Sequence, residues 1–105
     1  MKIIILNKVE KFFTSLNSKE LAKLIRTIEL LEEFGDKLGM PHSRHLSDGL
    51  IELRIRGKRE VRVLYCFYKN KAVLLHAFIK KSQITVKKEI VYGKTVKNNL
   101  HKYNI

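Results

Sequence analysis

The stretch Val61-Arg62-Val63-Leu64-Tyr65-Cys66-Phe67-Tyr68 constrains the fold more than any other. It is apolar at both parities of an extended chain, so both of its faces must be covered, which asks for a central place in a sheet. Its one charge, Arg62, then needs a carboxylate partner, a ligand or a groove open to solvent, because an unpaired buried guanidinium is costly. The flanking runs are fit to be its neighbours. Ile51, Leu53 and Ile55 alternate with Glu52, Arg54 and Arg56 in a period of two, and Gly57-Lys58-Arg59 turns the chain. On the other side Lys69-Asn70-Lys71 makes a second hairpin, and Ala72 to Ile79 makes a third strand.

Upstream the period changes. Lys2 to Leu6 is β-branched and predicts a short first strand, and Lys8 to Leu16 predicts a short helix. Asn17 and Glu20 stand at capping-box spacing, and Leu21, Leu24, Ile25, Ile28, Leu31 and Phe34 then recur at helical spacing up to Gly35, a natural helix-ending residue. Residues 35–49 are rich in turn formers and predict a loop. After a basic loop from Lys80, Thr85 is placed to cap a last helix through Ile90 and Val91. The expected order is β-α-α-β-β-β-α. It is an α+β fold, one domain over residues 1–105, with an antiparallel sheet and helices packed on one face.

Charge narrows the function. The net charge is +12. Residues 1–53 hold eight basic and eight acidic side chains, whereas residues 54–105 hold fourteen basic ones against Glu60 and Glu89. A one-sided positive field favours a polyanion, and the hydrophobic content of 45% excludes a disordered basic tail. A single cysteine, Cys66, rules out a disulfide framework and a Cys-rich zinc site within the chain. It reads as a packed core thiol in a reducing, cytoplasmic setting. No apolar run approaches the ~20 residues of a membrane span. The opening Met1-Lys2-Ile3-Ile4-Ile5-Leu6 stops too soon, at Asn7-Lys8, for a signal peptide, so no membrane association is expected. There is no Gly-rich phosphate loop, H-E-x-x-H or G-x-S-x-G, and His42, His45, His76 and His101 lack metal-ligand spacing. Neither metal nor cofactor is expected.

The remaining chemistry lies in cations borne on strands. Arg54, Arg56 and Arg62, followed by Lys80 and Lys81 at a strand end, stand near Tyr65, Tyr68 and Tyr92. Arginines beside aromatic rings suit phosphates and stacked bases. RNA brings its own nucleophile, the 2′-hydroxyl, so cleavage needs only a base, cations to hold the growing phosphoryl charge and an acid for the leaving oxygen. Lys, Arg and Tyr can fill these roles when one another's charge tunes them. The bland readings stay open beside this one: a solvated strand face for Arg54 and Arg56, an internal ion pair with Glu52 for Arg62, and packing for Tyr65 and Tyr68.

Three segments resemble one known family. Asp48-Gly49-Leu50-Ile51-Glu52-Leu53-Arg54 is similar to the D-G-L-W-E-L-R segment of RelE/HigB-type toxins, in the phage-derived Gp49-like branch of the RelE superfamily. Arg62-Val63-Leu64-Tyr65 resembles its R-[IV]-x-Y strand, and the run from Val73 to Thr85 its V-L-L-H-x-F-x-K-K-[ST]-Q-x-T stretch. The resemblance implies a RelE-like fold and metal-independent, ribosome-dependent cleavage of mRNA by the toxin of a type II toxin–antitoxin pair. The partners it implies are a helix-turn-helix antitoxin, forming a toxin–antitoxin hetero-oligomer, and mRNA on the ribosome with contacts to rRNA. Arg62 corresponds to the family's strand cation, Arg54 to the basic position one strand earlier, and Lys80 and Lys81 to the basic residues after the last strand. Tyr92 is similar in placement to a C-terminal tyrosine of RelE proper. Glu52 stands where RelE proper has a basic residue and is a candidate to orient Arg62. His76 joins the catalytic candidates by residue type. For RNA binding the expected residues are Arg56, Lys58, Arg59, Tyr65, Lys87 and Lys88. The alternatives are a basic RNA- or DNA-binding module without catalysis and an inactive toxin homologue retained for binding antitoxin.

Overall fold

The structure, a computed structural model, describes residues 1–105 apart from the side chains of residues 83–85. The chain runs β1 (Lys2–Ile5), α1 (Asn7–Phe13), α2 (Ser18–Phe34), a 3-10 turn (Gly35–Lys37), β2 (Ser43–His45), β3 (Ile51–Ile55), β4 (Glu60–Tyr68), β5 (Lys71–Lys80), α3 (Gln83–Asn98) and a second 3-10 turn (Leu100–Lys102). The start of α2 is fixed locally. The Asn17 side chain accepts from the Glu20 N–H at 2.9 Å, and the Glu20 carboxylate accepts from the Asn17 N–H at 3.0 Å, so two otherwise orphaned donors are satisfied. The helix ends at Gly35, whose φ of +54° is open to glycine at little cost. Thr85, expected to cap the last helix, lies outside the described side chains, and α3 begins at Gln83.

The five strands form one sheet in the order β1-β5-β4-β3-β2. As the two-sided apolar run requires, β4 is central; Val61, Val63, Leu64, Tyr65 and Cys66 are all buried. Two pairings depart from expectation. β1 joins β5 in parallel, with Ile3 opposite Ala72, while the other pairs are antiparallel. β2 lies inside the segment expected to be loop, pairing Arg44 with Glu52. Three residues cannot display a period, and an edge strand has only one neighbour to satisfy. The β4–β5 turn places Lys69 and Asn70 at φ of +51° and +62°, the geometry whose twist matches a tight hairpin. β5 carries one extra residue at Leu75, between His76 opposite Leu64 and Leu74 opposite Tyr65, which is a bulge.

The helices do not share a face. Among α2 residues, Lys23, Thr27 and Leu30 border the same hollow as Ile55, and Lys23 Nζ donates to the Arg56 carbonyl at 3.0 Å. α3 instead packs on β5 and β4, with Gly93 against Leu64, a residue in register with Glu52 and His76. Ile55 and Leu64 lie on opposite sides of the pleat, so α2 and α3 cover opposite faces, while α1 packs along β5. The expectation of one covered face is corrected by the composition of β4 itself: a strand apolar on both sides needs a cover on both. Among the described residues no helix is long and apolar enough to cross a membrane.

Candidate active site

Cross-strand register builds the site. Arg54, Arg62 and Phe78 form one row across β3, β4 and β5; Glu52, Leu64 and His76 form the next row, and Glu60 pairs with Lys80 beyond Arg62. Alternation therefore sets Glu52, Arg54, Glu60, Arg62, His76, Phe78 and Lys80 on one face. Two arginines directly opposite would repel, but carboxylates are interleaved with them. One Glu52 oxygen lies 3.7 Å from Nε of both Arg54 and Arg62. Glu60 accepts from Arg62 Nη2 at 2.9 Å and pairs with Arg56 Nε at 3.3 Å, and Arg62 Nη1 donates to the Val61 carbonyl at 3.2 Å. Partial burial pushes the Glu60 carboxyl up, but the bonds from Arg62 and the Gly57 N–H and the charges of Arg62 and Arg56 outweigh it and hold the carboxyl below its ordinary value.

Arg62 differs in this from a cation open to a phosphate. Its side chain is 1% exposed and its guanidinium is engaged by two carboxylates. Of the readings open for Arg62, the structure matches the internal ion pair, with Glu60 added to Glu52, so the side chain is not open to direct contact with a phosphodiester. Its central strand is covered on both sides, so a charge there survives only if paired internally. Arg54, with 13% of its side chain exposed, and Arg56, with 61%, reach solvent. Lys80 is half-buried and Lys81 exposed. The Nε atoms of Arg54 and Arg62 are buried without a hydrogen-bond partner among the described residues.

A hollow of about 380 Å³ adjoins this face. It is lined by Lys8 and Phe12 of α1, His76 and Ala77 of β5, and Lys88, Glu89 and Tyr92 of α3. His76 Nε2 is hydrogen-bonded to Glu89 Oε2. The imidazole meets the edge of the Tyr92 ring at 4.6 Å between centroids and stacks on Phe78 at 5.7 Å. Lys8 Nζ donates to the Tyr92 hydroxyl at 3.3 Å. Sequence reasoning named His76, Tyr92 and Lys88 but missed Lys8 and Glu89. Glu89 was signalled by being one of only two carboxylates after residue 53.

The other expected residues lie elsewhere. Arg59 and Lys58 sit at the β3–β4 turn, and Arg59 grips Glu20 of α2 through two bonds of 2.6 and 2.8 Å. That bond, with the cap at Asn17, holds the Glu20 carboxyl at about 2, well below the usual carboxylate range. Arg59 is thus a fastener of the hairpin to α2 before it is an RNA contact. Lys87 is exposed on α3. Tyr65 is corrected: it is 1% exposed and packs edge-on against Phe67, so no base can stack on it. Strict alternation from Arg62 already sets Tyr65 on the opposite face. Cys66 is buried, as expected of a core thiol. Among the described residues no three His, Cys, Asp or Glu side chains are gathered as metal ligands.

Fold and face together define a class: a small basic α+β domain whose largely antiparallel sheet carries a row of arginines and interleaved carboxylates on the side that α3 partly covers. Residues 11–98 match the profile of the Phage derived protein Gp49-like (DUF891) family, and the chain belongs to that family. Gp49-like proteins are RelE-superfamily toxin-like proteins, which associates the chain with toxin–antitoxin modules. No curated protein sequence matches the chain.

Proposed function

We propose that the protein is an mRNA endoribonuclease of the RelE/HigB type, the toxin of a type II toxin–antitoxin pair. It acts in the cytoplasm on mRNA held by the ribosome, and the RNA 2′-hydroxyl attacks the adjacent phosphate without a metal. The observation that carries this is the row of Arg54 and Arg62 with Arg56 and Lys80 beside it: four cations against Glu52 and Glu60 on one sheet face. Fixed positive groups stabilise the charge that grows on phosphoryl oxygens, and cost no reorganisation at the moment of reaction. Arg54, Arg56, Lys80 and Lys81 are the groups that meet RNA, and Arg62 holds the array in order. Lys58, Lys87 and Lys88 extend the positive field along the backbone path.

The carboxylates between the arginines favour a second reading, a nucleic-acid-binding module that does not cleave. Expression in bacterial cells separates the two. Wild type should arrest growth and leave truncated mRNA on polysomes. Lys80→Ala and Lys81→Ala, both outside the core, should relieve the arrest with an unchanged circular dichroism spectrum. Intact polysomal mRNA beside tight RNA binding by purified protein would establish the non-cleaving module. Tight association with the product of a neighbouring gene, without arrest, would establish an inactive homologue. The antitoxin is a helix-turn-helix protein that lays acidic or apolar residues over the basic face, so its association rate should fall with salt.

A further inference from the structure

The hollow beside the arginine row holds a grouping that charge alone does not explain. His76 is a strand residue, Glu89 and Tyr92 are one helical turn apart on α3, and Lys8 comes from α1. Three elements thus bring an imidazole, a carboxylate, a phenol and an ammonium to one opening of about 380 Å³. A ring proton on Nε2, directed at the Glu89 carboxylate, leaves the lone pair of a neutral imidazole on Nδ1. Nδ1 has no hydrogen-bond partner among the described residues. A base oriented by a carboxylate is the arrangement in which an imidazole takes protons efficiently. Leu64, opposite His76 in β4, is uncharged; the charged or titratable groups facing the imidazole are Lys8 from α1 and Lys88, Glu89 and Tyr92 from α3. One row separates His76 from Arg62, so the backbone positions are only about 8 Å apart, from strand spacing and rise.

We infer that His76, oriented by Glu89, is the general base of this protein, and that the hollow between α1, β5 and α3 takes the ribose of the nucleotide 5′ to the cut. This rests on the endoribonuclease function proposed above. Nδ1 accepts the 2′-hydroxyl proton as the O2′–P bond forms and the P–O5′ bond breaks. The departing O5′ takes a proton from water, and the imidazolium later returns its own to water, so nothing is consumed. The products are a 2′,3′-cyclic phosphate and a 5′-hydroxyl. His76 is catalytic in this scheme, and Glu89 is a positioning residue that fixes the ring.

The experiment uses the full chain with programmed ribosomes and follows mRNA cleavage from pH 5 to 9. Wild-type rate should rise with pH along a limb of unit slope and level off. Glu89→Gln, which keeps a hydrogen-bond acceptor, should cleave up to about 100-fold more slowly, the low end of what general-base catalysis contributes, and alter that limb. His76→Ala should lose the limb, and added imidazole should restore part of the rate. Glu89→Asp should recover more activity than Glu89→Gln. Circular dichroism guards against simple unfolding in each case. If wild type cleaves and His76→Ala and Glu89→Gln keep its rate and pH profile, the assignment of the base is wrong while the endoribonuclease function stands. If wild type leaves mRNA intact on programmed ribosomes, both fall together.

Discussion

Gly93 is the point where α3 comes down on the sheet, and its replacement by alanine weighs two effects of opposite sign. A Cβ built there lies 2.7 Å from Leu64 Cδ1, 3.6 Å from Leu64 Cβ and 3.7 Å from Leu50 Cδ2. The first distance is well inside van der Waals contact. Leu64 is 0% exposed, so its methyl cannot swing aside into solvent. Overpacking of a closed core costs about 1–3 kcal/mol. Against that, alanine in a helix interior gains about 1 kcal/mol over glycine. Overpacking wins, and Gly93→Ala should be destabilised by up to about 2 kcal/mol, the difference of the two ranges. For a domain of this size each kcal/mol moves Tm by roughly 4–8 °C, so the fall is several degrees. The decisive control is Leu64→Ala. It costs about 2–5 kcal/mol by itself, but it removes the methyl that the new Cβ meets. In that background Gly93→Ala should be neutral or stabilising, an inversion of sign that urea titration reads as a rise in midpoint at constant m. A Gly93→Ala variant that melts higher than wild type, or costs that simply add in the double variant, would refute the close approach.

Three further outcomes follow from other contacts. Glu20 is held at about 2 against an ordinary 4.5, so its contribution is complete above pH 4.5 and lost as pH falls toward 2; the Tm difference between wild type and Glu20→Gln should therefore shrink over that window and stay flat above it. Asn17→Ala removes the acceptor for the Glu20 N–H and should cost about 1 kcal/mol in thermal or urea unfolding, with Asn17→Ser nearly neutral. Burial pushes the Cys66 thiol up, against the pull of Lys97, so a thiol reagent at neutral pH should label the protein only after denaturant is added, and fast labelling of the native state would contradict the packing.

What the sequence reveals about this fold depends on how local the cause is. The α2 cap at Asn17 and Glu20 is legible because both partners lie within one turn. The central place of β4 is legible because coverage of both faces is written in the eight residues from Val61 to Tyr68. β2 is hidden, since Ser43, Arg44 and His45 have neither length nor apolar rhythm and form a strand only because β3 offers an edge. The parallel entry of β1 is hidden because Lys2 to Ile5 would pair equally well either way; the helices that follow decide it. The site divides likewise. Alternation puts Glu52 and Arg54 on one face, and an internal ion pair of Arg62 with Glu52 is one of the readings the sequence leaves open. That Glu60 would take the other side of Arg62, or that Glu89 would find His76, depends on register and on where α3 lands, which no single segment encodes.

The placement of β1 beside β5 has a bearing on synthesis. Among the described residues, β1 finds its sheet neighbour in residues 71–74, far along the chain. Closing so long a loop is entropically costly before any contact rewards it, and such distant pairing slows folding. A chain cut short before residue 71 has α1 and α2 but nowhere to anchor β1. The face built by β3, β4, β5 and α3 comes together late for the same reason, once residues 51–98 have all been made.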